Sequence, residues 1–167
     1  MVDAPPDERR SQAEIDADLA RIGYRLEDHN AHLVRLVHQR ATALFQQAFE
    51  RQNITPTQLA IMATLLRHGP LSQIALGRIT AIDTATLSTM LRRLQDMGLV
   101  ERAASETDQR VNLARLSPMG EADTLRMLPL SLGISEQLLA PLKPKDRERF
   151  VAALRLLACT LSQKTDP

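Results

Sequence analysis

The sequence contains few aromatic residues, a single cysteine and no long apolar run. Aromatic residues make up 2% of its 167 residues and tryptophan is absent, which favours helices packed by aliphatic side chains. One cysteine excludes an internal disulfide, and no cysteine–histidine cluster suggests a zinc site. No apolar run approaches the ~18 residues of a membrane-spanning helix, and the N-terminus is acidic rather than signal-like. We therefore predict a soluble, cytoplasmic protein that uses no metal and no cofactor.

The usual signatures of enzymes are missing too. The sequence has no glycine-rich phosphate-binding loop, no pair of carboxylates flanked by apolar residues and no nucleophile motif such as G-x-S-x-G. We therefore predict that the protein is not an enzyme. Its net charge of +1 is unevenly spread: residues 1–30 hold four arginines against eight acids, whereas residues 67–117 hold seven arginines against five acids. This bias permits DNA binding by the second stretch without requiring it.

The most informative stretch covers residues 82–116 and begins with a capped helix. Asp83 is a good N-cap because its carboxylate can accept hydrogen bonds from the N–H groups of the first turn. Gly98 can adopt the left-handed conformation with which helices commonly end. Apolar residues recur at three- and four-residue steps and predict one buried face: Leu87, Met90, Leu91, Leu94 and Met97. Small hydroxyls and two guanidiniums, with no acid before Asp96, occupy the other faces: Thr84, Thr86, Ser88, Thr89, Arg92 and Arg93. These groups can contact base edges and phosphates in a DNA major groove; an ordinary surface helix is the alternative.

Two strand-like runs, residues 99–104 and 110–116, follow this helix around a polar tip. Asp108 and Arg110 lie two residues apart, and therefore on the same side of an extended chain. The aspartate would then orient the guanidinium, which suits a narrow and electronegative minor groove. An exposed ion pair that contributes little is the alternative.

Two further helices are predicted before this stretch. Thr55 and Gln58 form a capping box with proline between them, and the helix they start ends at Gly69. Ser72 caps the next helix, which ends near Thr80 and is followed by a short turn. Two short helices joined by such a turn form a helix-turn-helix.

The order of these segments resembles the MarR family of winged helix-turn-helix regulators. The resemblance is best over residues 54–121 and is carried by TPTQLAIMATL, LSQIALGRI, DTATLSTMLRRLQDMGLVER, ETDQR and LSPMGE. It implies a homodimer whose recognition helix lies in the major groove and whose D-x-R wing, here Asp108 and Arg110, reaches the minor groove. Ala85 departs from the family pattern, because many members carry serine or another polar residue there. The family's base contacts therefore cannot all be transferred to this sequence.

Apolar stripes also run along the helices predicted on either side of this unit. A helix over residues 27–51 would be about 38 Å long at ~1.5 Å per residue. Pro118 and Pro144 start two later helices, and Pro129 should kink or break the first of them. The helix-turn-helix leaves these apolar faces uncovered, and the resemblance also implies a dimer. We therefore predict that these helices form a homodimer interface.

The resemblance further implies a small-molecule effector. In relatives, small and often aromatic acids bind the cleft between the dimerisation helices and the DNA-binding lobe. His29, His32 and Arg35 would donate to a carboxylate there, and Met62 would line the cleft from the next helix; ordinary surface or interface roles are the alternative. The resemblance alone suggests an aromatic or pyridine carboxylate. Cys159 lies among leucines, which favours packing over redox sensing.

We therefore predict a mainly α fold with a small β-hairpin wing, that is, a winged helix-turn-helix with a helical dimerisation region. The predicted parts are a disordered tail (1–12), an N-terminal dimerisation helix region (13–53), a DNA-binding lobe (54–117), C-terminal dimerisation helices (118–163) and a short tail (164–167). The predicted function is that of a homodimeric repressor, bound to double-stranded DNA and released by the effector. An architectural DNA-binding protein without an effector is the alternative.

Overall fold

A computed structural model of the protein describes residues 10–104 and 112–162, in which helices predominate over one small sheet. In chain order the elements are α1 (Gln12–Ile22), α2 (Asn30–Ala48), α3 (Pro56–His68), β1 (Leu71–Ser72), α4 (Gln73–Thr80), α5 (Thr84–Asp96), β2 (Val100–Ala104), β3 (Asn112–Leu116), α6 (Pro118–Leu139) and α7 (Pro144–Ser162). A 3₁₀ turn at Leu26–Asp28 precedes α2. This order confirms the predicted fold class, mainly α with a small β wing. Among the described helices, none is long and apolar enough to cross a membrane.

The chain divides into two compact units, Met1–Arg40 and Ala41–Pro167, and the division falls inside α2. In the first unit, a reciprocal cap between Ser11 and Glu14 starts α1, which ends at Gly23 with a left-handed φ of 71°. No residue between positions 10 and 40 is buried, so this described part of the unit has no core of its own. Of the predicted tail, residues 1–9 lie outside the described residues, and α1 already begins at Gln12. The predicted tail at 164–167 also lies outside them.

The core of the second unit is built around α3, which contacts α4, α5, α6 and β3. Side chains from four helices and the turn after α2 are almost completely buried there: Phe49, Ile61, Met62, Leu76, Leu87, Leu94 and Thr124. The rings of Phe45 and Phe49 stack with their centroids 4.2 Å apart. The remaining core residues are mainly leucines, as the composition of the sequence suggested.

The sheet has the strand order β1-β3-β2, and all neighbouring strands are antiparallel. Val100 pairs with Leu116 at the base of the β2–β3 hairpin, and Leu71 pairs with Ala114 on the other side of β3. The two predicted wing strands are therefore confirmed to within two residues at their ends. The tip that joins them, residues 105–111, lies outside the described residues.

The helix predicted over residues 27–51 is shorter than expected. It covers only the 19 residues of α2, and its length is therefore about 28 Å at ~1.5 Å per residue. His29 is extended and separates the 3₁₀ turn from α2. At the other end Asn53 has a left-handed φ of 51°, a conformation that asparagine tolerates and that no α-helix contains. This turn leads to the buried Ile54 and to the cap of α3.

The break predicted at Pro129 does not occur, because α6 continues from Pro118 to Leu139. A proline inside a helix leaves the carbonyl group four residues earlier without its N–H partner. Here that carbonyl belongs to Leu125, which is 59% exposed, and Pro129 is itself exposed. Water can therefore hydrogen-bond to the freed carbonyl, and the helix continues.

A close backbone contact joins the end of α5 to the start of α6. A Cβ atom on Gly120 would lie 1.9 Å from the carbonyl oxygen of Leu99. Ser117 closes the same contact: its hydroxyl donates to the carbonyl of Gly98 (2.6 Å) and accepts from the N–H of Gly120 (3.0 Å). The N–H of Ser117 donates to the carbonyl of Leu99 (3.0 Å). We call these four residues the α5–α6 junction.

Gly120→Ala should separate the two backbones of this junction, because backbone cannot give way as a side chain can. We expect it to lower the free energy of unfolding by roughly 1–3 kcal/mol or more, measured by urea denaturation. Gly133→Ala is the matched control, since Gly133 also lies inside α6 and a Cβ added there would have no atom within 4 Å. That variant should be neutral or more stable by about 0.5–1 kcal/mol. Equal effects of the two substitutions would contradict the role of the junction.

Candidate nucleic-acid interface

A tight three-residue turn joins α4 to α5, as the sequence predicted. Ala81 adopts a left-handed φ of 53°, and the N–H of Ile82 donates to the carbonyl of Gly77 (3.2 Å). A Cβ on Gly77 would lie 3.1 Å from the carbonyl oxygen of Ile82, so a small residue suits this approach. Asp83, the third residue of the turn, is the N-cap of α5. Its carboxylate accepts a hydrogen bond from the N–H of Thr86 (2.9 Å), which lowers the pKa of Asp83 below its usual range.

The faces of α5 divide as the apolar periodicity predicted. Leu87, Leu91 and Leu94 are buried against the core. Five of the six polar residues predicted to contact DNA are exposed: Thr84, Thr86, Thr89, Arg92 and Arg93. The two arginines form no ion pair with an acid anywhere in residues 10–104 and 112–162. Both guanidiniums are therefore available to a negatively charged partner.

Ser88, the sixth predicted residue, is half-buried, and its hydroxyl is engaged inside the protein. It donates to the carbonyl of Thr84 (2.8 Å) and accepts a hydrogen bond from the side-chain amide of Gln73. Gln73, the first residue of α4, also donates to the carbonyl of Thr84 (3.2 Å). These bonds attach the start of α4 to the first turn of α5. Sequence reasoning missed Gln73, because nothing in its local pattern shows that it contacts a residue 15 positions away.

A groove of about 340 Å³ lies between α5 and the sheet, and Arg92 and Arg102 both line it. Arg102 lies on β2, is exposed, and has no acidic partner among the described residues. By contrast, Arg115 on β3 pairs with Glu101 on the adjacent strand at 2.8 Å. Among residues 10–104 and 112–162, the groove therefore carries two positive charges without an acidic partner. Such charges suit the phosphates that flank a base-reading helix, and sequence reasoning did not identify Arg102.

The predicted minor-groove residues, Asp108 and Arg110, lie outside the described residues. The strands that lead to them, β2 and β3, are described and paired in register up to Ala104 and Asn112. Their role therefore stays a prediction.

The residues predicted to bind an effector are found in both units. His29, His32 and Arg35 belong to the first, where the guanidinium of Arg35 lies 3.3 Å from Nδ1 of His32. The ring of His29 lies 5.7 Å from that of Tyr24. Met62 belongs to the second unit and is completely buried in its core. The structure thus brings His32 and Arg35 together and shows Met62 as a core residue.

Comparisons with known proteins agree with this geometry. Residues 54–111 match the family model of the MarR family. The chain is 32% identical over 139 residues to the HTH-type transcriptional repressor NicR of Pseudomonas putida, an alignment that covers 83% of this chain and 88% of NicR. The chain belongs to the MarR family. MarR-family proteins are DNA-binding regulators of transcription rather than enzymes. That α5 is the recognition helix, and that its arginines contact DNA, stays a prediction.

Two solved structures resemble this MarR-family chain over most of its length. A probable transcriptional regulator from Pseudomonas aeruginosa has 38% identity and a TM-score of 0.75, covering 80% of this chain and 99% of that one. Bordetella bronchiseptica BpsR, whose DNA binding is regulated by 6-hydroxynicotinic acid, has 30% identity and a TM-score of 0.77, covering 81% of this chain and 96% of its own.

Gln73→Ala should weaken operator binding without changing the number of phosphate contacts, because Gln73 positions α5 and has no charge. The two neutral hydrogen bonds, each worth ~0.5–1.5 kcal/mol, exist in the free protein as well. Their sum of about 1–3 kcal/mol is therefore the upper limit of the lost binding energy, so the loss of affinity should be no more than roughly 5- to 150-fold. The salt dependence of binding should stay that of the wild type. Arg93→Ala should instead weaken binding to all sequences and lower the salt slope by about one unit.

Gln47→Ala, at an exposed glutamine of α2, is the control for Gln73→Ala. Affinities are to be measured by fluorescence anisotropy over a range of salt concentrations. Wild-type affinity in Gln73→Ala would show that the bonds between α4 and α5 do not position the recognition helix.

Proposed function

We propose that this protein is a homodimeric transcriptional repressor that an aromatic or pyridine carboxylate releases from a palindromic operator. The observation that carries the proposal is the exposed surface of α5, with two unpaired arginines and three threonine hydroxyls, in a chain 32% identical to the repressor NicR. Short hydroxyls and guanidiniums are the groups that contact base edges and phosphates. We expect the protein to act in the cytoplasm.

Exposed apolar residues on four helices support the dimer. On α1 and α2 they include Ile15, Leu19, Ile22, Leu33, Val34, Leu36 and Val37. On α6 and α7 they include Leu130, Leu132, Leu154 and Leu157. Large apolar side chains exposed in such number on single helices often mark a surface that a partner covers. Pairing of two chains through the predicted dimerisation regions, residues 13–53 and 118–163, would cover these faces across a two-fold axis.

A two-fold dimer would present two copies of α5, which sets the form of its operator. The two recognition helices should enter successive major grooves about 34 Å apart, so the operator should be an imperfect palindrome. Footprinting on DNA selected from the source genome shows whether the protected site is an imperfect palindrome. Analytical ultracentrifugation of the complex gives the number of chains bound. Protection of a single asymmetric half-site by one chain would contradict the proposed dimer.

The contact between His32 and Arg35 supports an acidic effector. A guanidinium binds a carboxylate through two parallel hydrogen bonds, and a neighbouring imidazole can add a third donor. All three predicted donors are exposed or half-buried, so a ligand can reach them. Regulation of BpsR by 6-hydroxynicotinic acid, a pyridine carboxylate, makes that compound the first to test.

Replacement of His29, His32 and Arg35 by alanine should leave operator affinity close to that of the wild type and abolish the effect of 6-hydroxynicotinic acid. An effector can weaken DNA binding only by its preference for one arrangement of the dimer, and a coupling of ~1–3 kcal/mol corresponds to a roughly 5- to 150-fold change. Operator affinity should be measured with and without the acid in both proteins. Met62 is left unchanged because it lies in the core.

Two results would count against this proposal in different ways. If the triple variant still releases DNA at the same ligand concentration, the effector binds elsewhere. If no aromatic or pyridine carboxylate releases the wild-type protein, the alternative of an effector-independent architectural protein is favoured.

A further inference from the structure

The hydroxyl groups of α5 are largely used in bonds within the protein. The hydroxyl of Thr89 donates to the carbonyl of Ala85 (3.1 Å), and that of Ser88 donates to the carbonyl of Thr84 (2.8 Å). A hydroxyl has a single hydrogen to donate, although its oxygen can still accept. Neither side chain can therefore donate to a base without losing the bond to its own helix.

The hydroxyl of Thr86 is engaged by the carboxylate that caps α5. The pKa of Asp83 is lowered, first by the N–H of Thr86 and then by the Thr86 hydroxyl, because both donate to this carboxylate. Of the four hydroxyls on α5, only that of Thr84 donates to no group within residues 10–104 and 112–162. The exposed start of α5 therefore has few hydroxyl donors left for a base.

Methyl groups are what this part of α5 offers a partner. Ala85 and Thr89 are both exposed, and because they lie four residues apart they share one face of the helix. The side chain of Ala85 is a single methyl group, at a position where many members of the family carry a polar residue. In Thr89 the hydroxyl is held against the helix backbone, which leaves the γ-methyl group to a partner. Arg93, four residues further along, can contact phosphate from the same face.

We propose that α5 recognises thymine, through contacts of the Ala85 and Thr89 methyl groups with the 5-methyl group of the base. In the major groove this methyl group distinguishes a T·A pair from a C·G pair, and alanine and the threonine methyl are suited to contact it. The inference rests on the proposed function, because it requires α5 to enter the major groove of an operator. It adds that each operator half-site contains thymine where α5 lies.

Replacement of thymine by uracil tests this contact, because it removes the 5-methyl group and keeps the base pairing. The full-length protein would select duplexes from a randomised library, and the tightest-binding duplex would be resynthesised with uracil at one thymine at a time. Affinity, measured by fluorescence anisotropy, should fall about fourfold for each methyl group that α5 covers, as expected for the loss of one buried methyl group. Thymines outside the footprint of the protein should tolerate the replacement.

Two substitutions of Thr89 separate its methyl group from its hydroxyl. Thr89→Ser deletes the methyl group and keeps the hydroxyl, so it should lose the preference for thymine over uracil at one of the sensitive positions. Thr89→Val deletes the hydroxyl and keeps a methyl group, so it should retain that preference. Thr64→Ser is the matched control on α3, because the Thr64 hydroxyl donates in the same way, to the carbonyl of Ala60 (2.8 Å). It should discriminate between thymine and uracil like the wild type.

The outcomes separate this inference from the proposed function. If the protein selects no duplex, the proposed function fails and the inference fails with it. If a duplex is selected but uracil leaves its affinity unchanged, or if its footprint contains no thymine, the inference alone fails. Loss of affinity in Thr89→Val, together with wild-type discrimination in Thr89→Ser, would show that the hydroxyl contacts the base and would also overturn the inference.

Discussion

The second unit depends on one backbone contact, the approach of α6 to the carbonyl group of Leu99 at Gly120. Leu99 lies between α5 and β2, so this contact fixes the end of α5, the start of the hairpin and the start of α6 together. A Cβ at position 120 would lie 1.9 Å from the Leu99 oxygen, far inside any permitted separation. The hydroxyl of Ser117, 2.6 Å from the carbonyl oxygen of Gly98, adds a hydrogen bond to the same junction. The end of α5 and the start of α6 are therefore held together by atoms that have little freedom to shift.

The helix starts of this unit could be predicted from the sequence because their caps are local. Thr55, Ser72 and Asp83 each accept a hydrogen bond from the N–H three residues later. Such a cap needs only a short polar side chain and a helical continuation, both of which the sequence displays. The buried face of α5 was predictable for a similar reason, since three- and four-residue spacing places apolar side chains on one side of any helix.

The remaining features depend on packing between distant segments, which no local pattern encodes. Ser88 lies at the edge of the exposed face of α5, and only the position of Gln73 on α4 shows that its hydroxyl is engaged. Pro129 would break many helices, but here the freed carbonyl belongs to an exposed residue, so the helix continues. The excess length predicted for α2 has the same origin. Its apolar stripe passes through residues that the structure places in a 3₁₀ turn and in a turn near Asn53.

Local pairing, rather than net charge, determines which arginines of this protein can bind anions. The chain carries a net charge of only +1, and exposed ion pairs such as Arg115–Glu101 cancel part of its positive surface. The groove beside α5 retains Arg92 and Arg102, which pair with no acid among the described residues. These two guanidiniums can therefore bind an anion although the chain as a whole is nearly neutral.

A ligand at the proposed site of His32 and Arg35 would bind the first unit, whereas α5 belongs to the second. Such a ligand would change DNA binding through its preference for one arrangement of the proposed dimer. Two copies of α5 must match a fixed spacing of major grooves on the operator, so a change in their separation weakens both contacts. This effect requires a dimer, because a single copy of α5 has no spacing to lose.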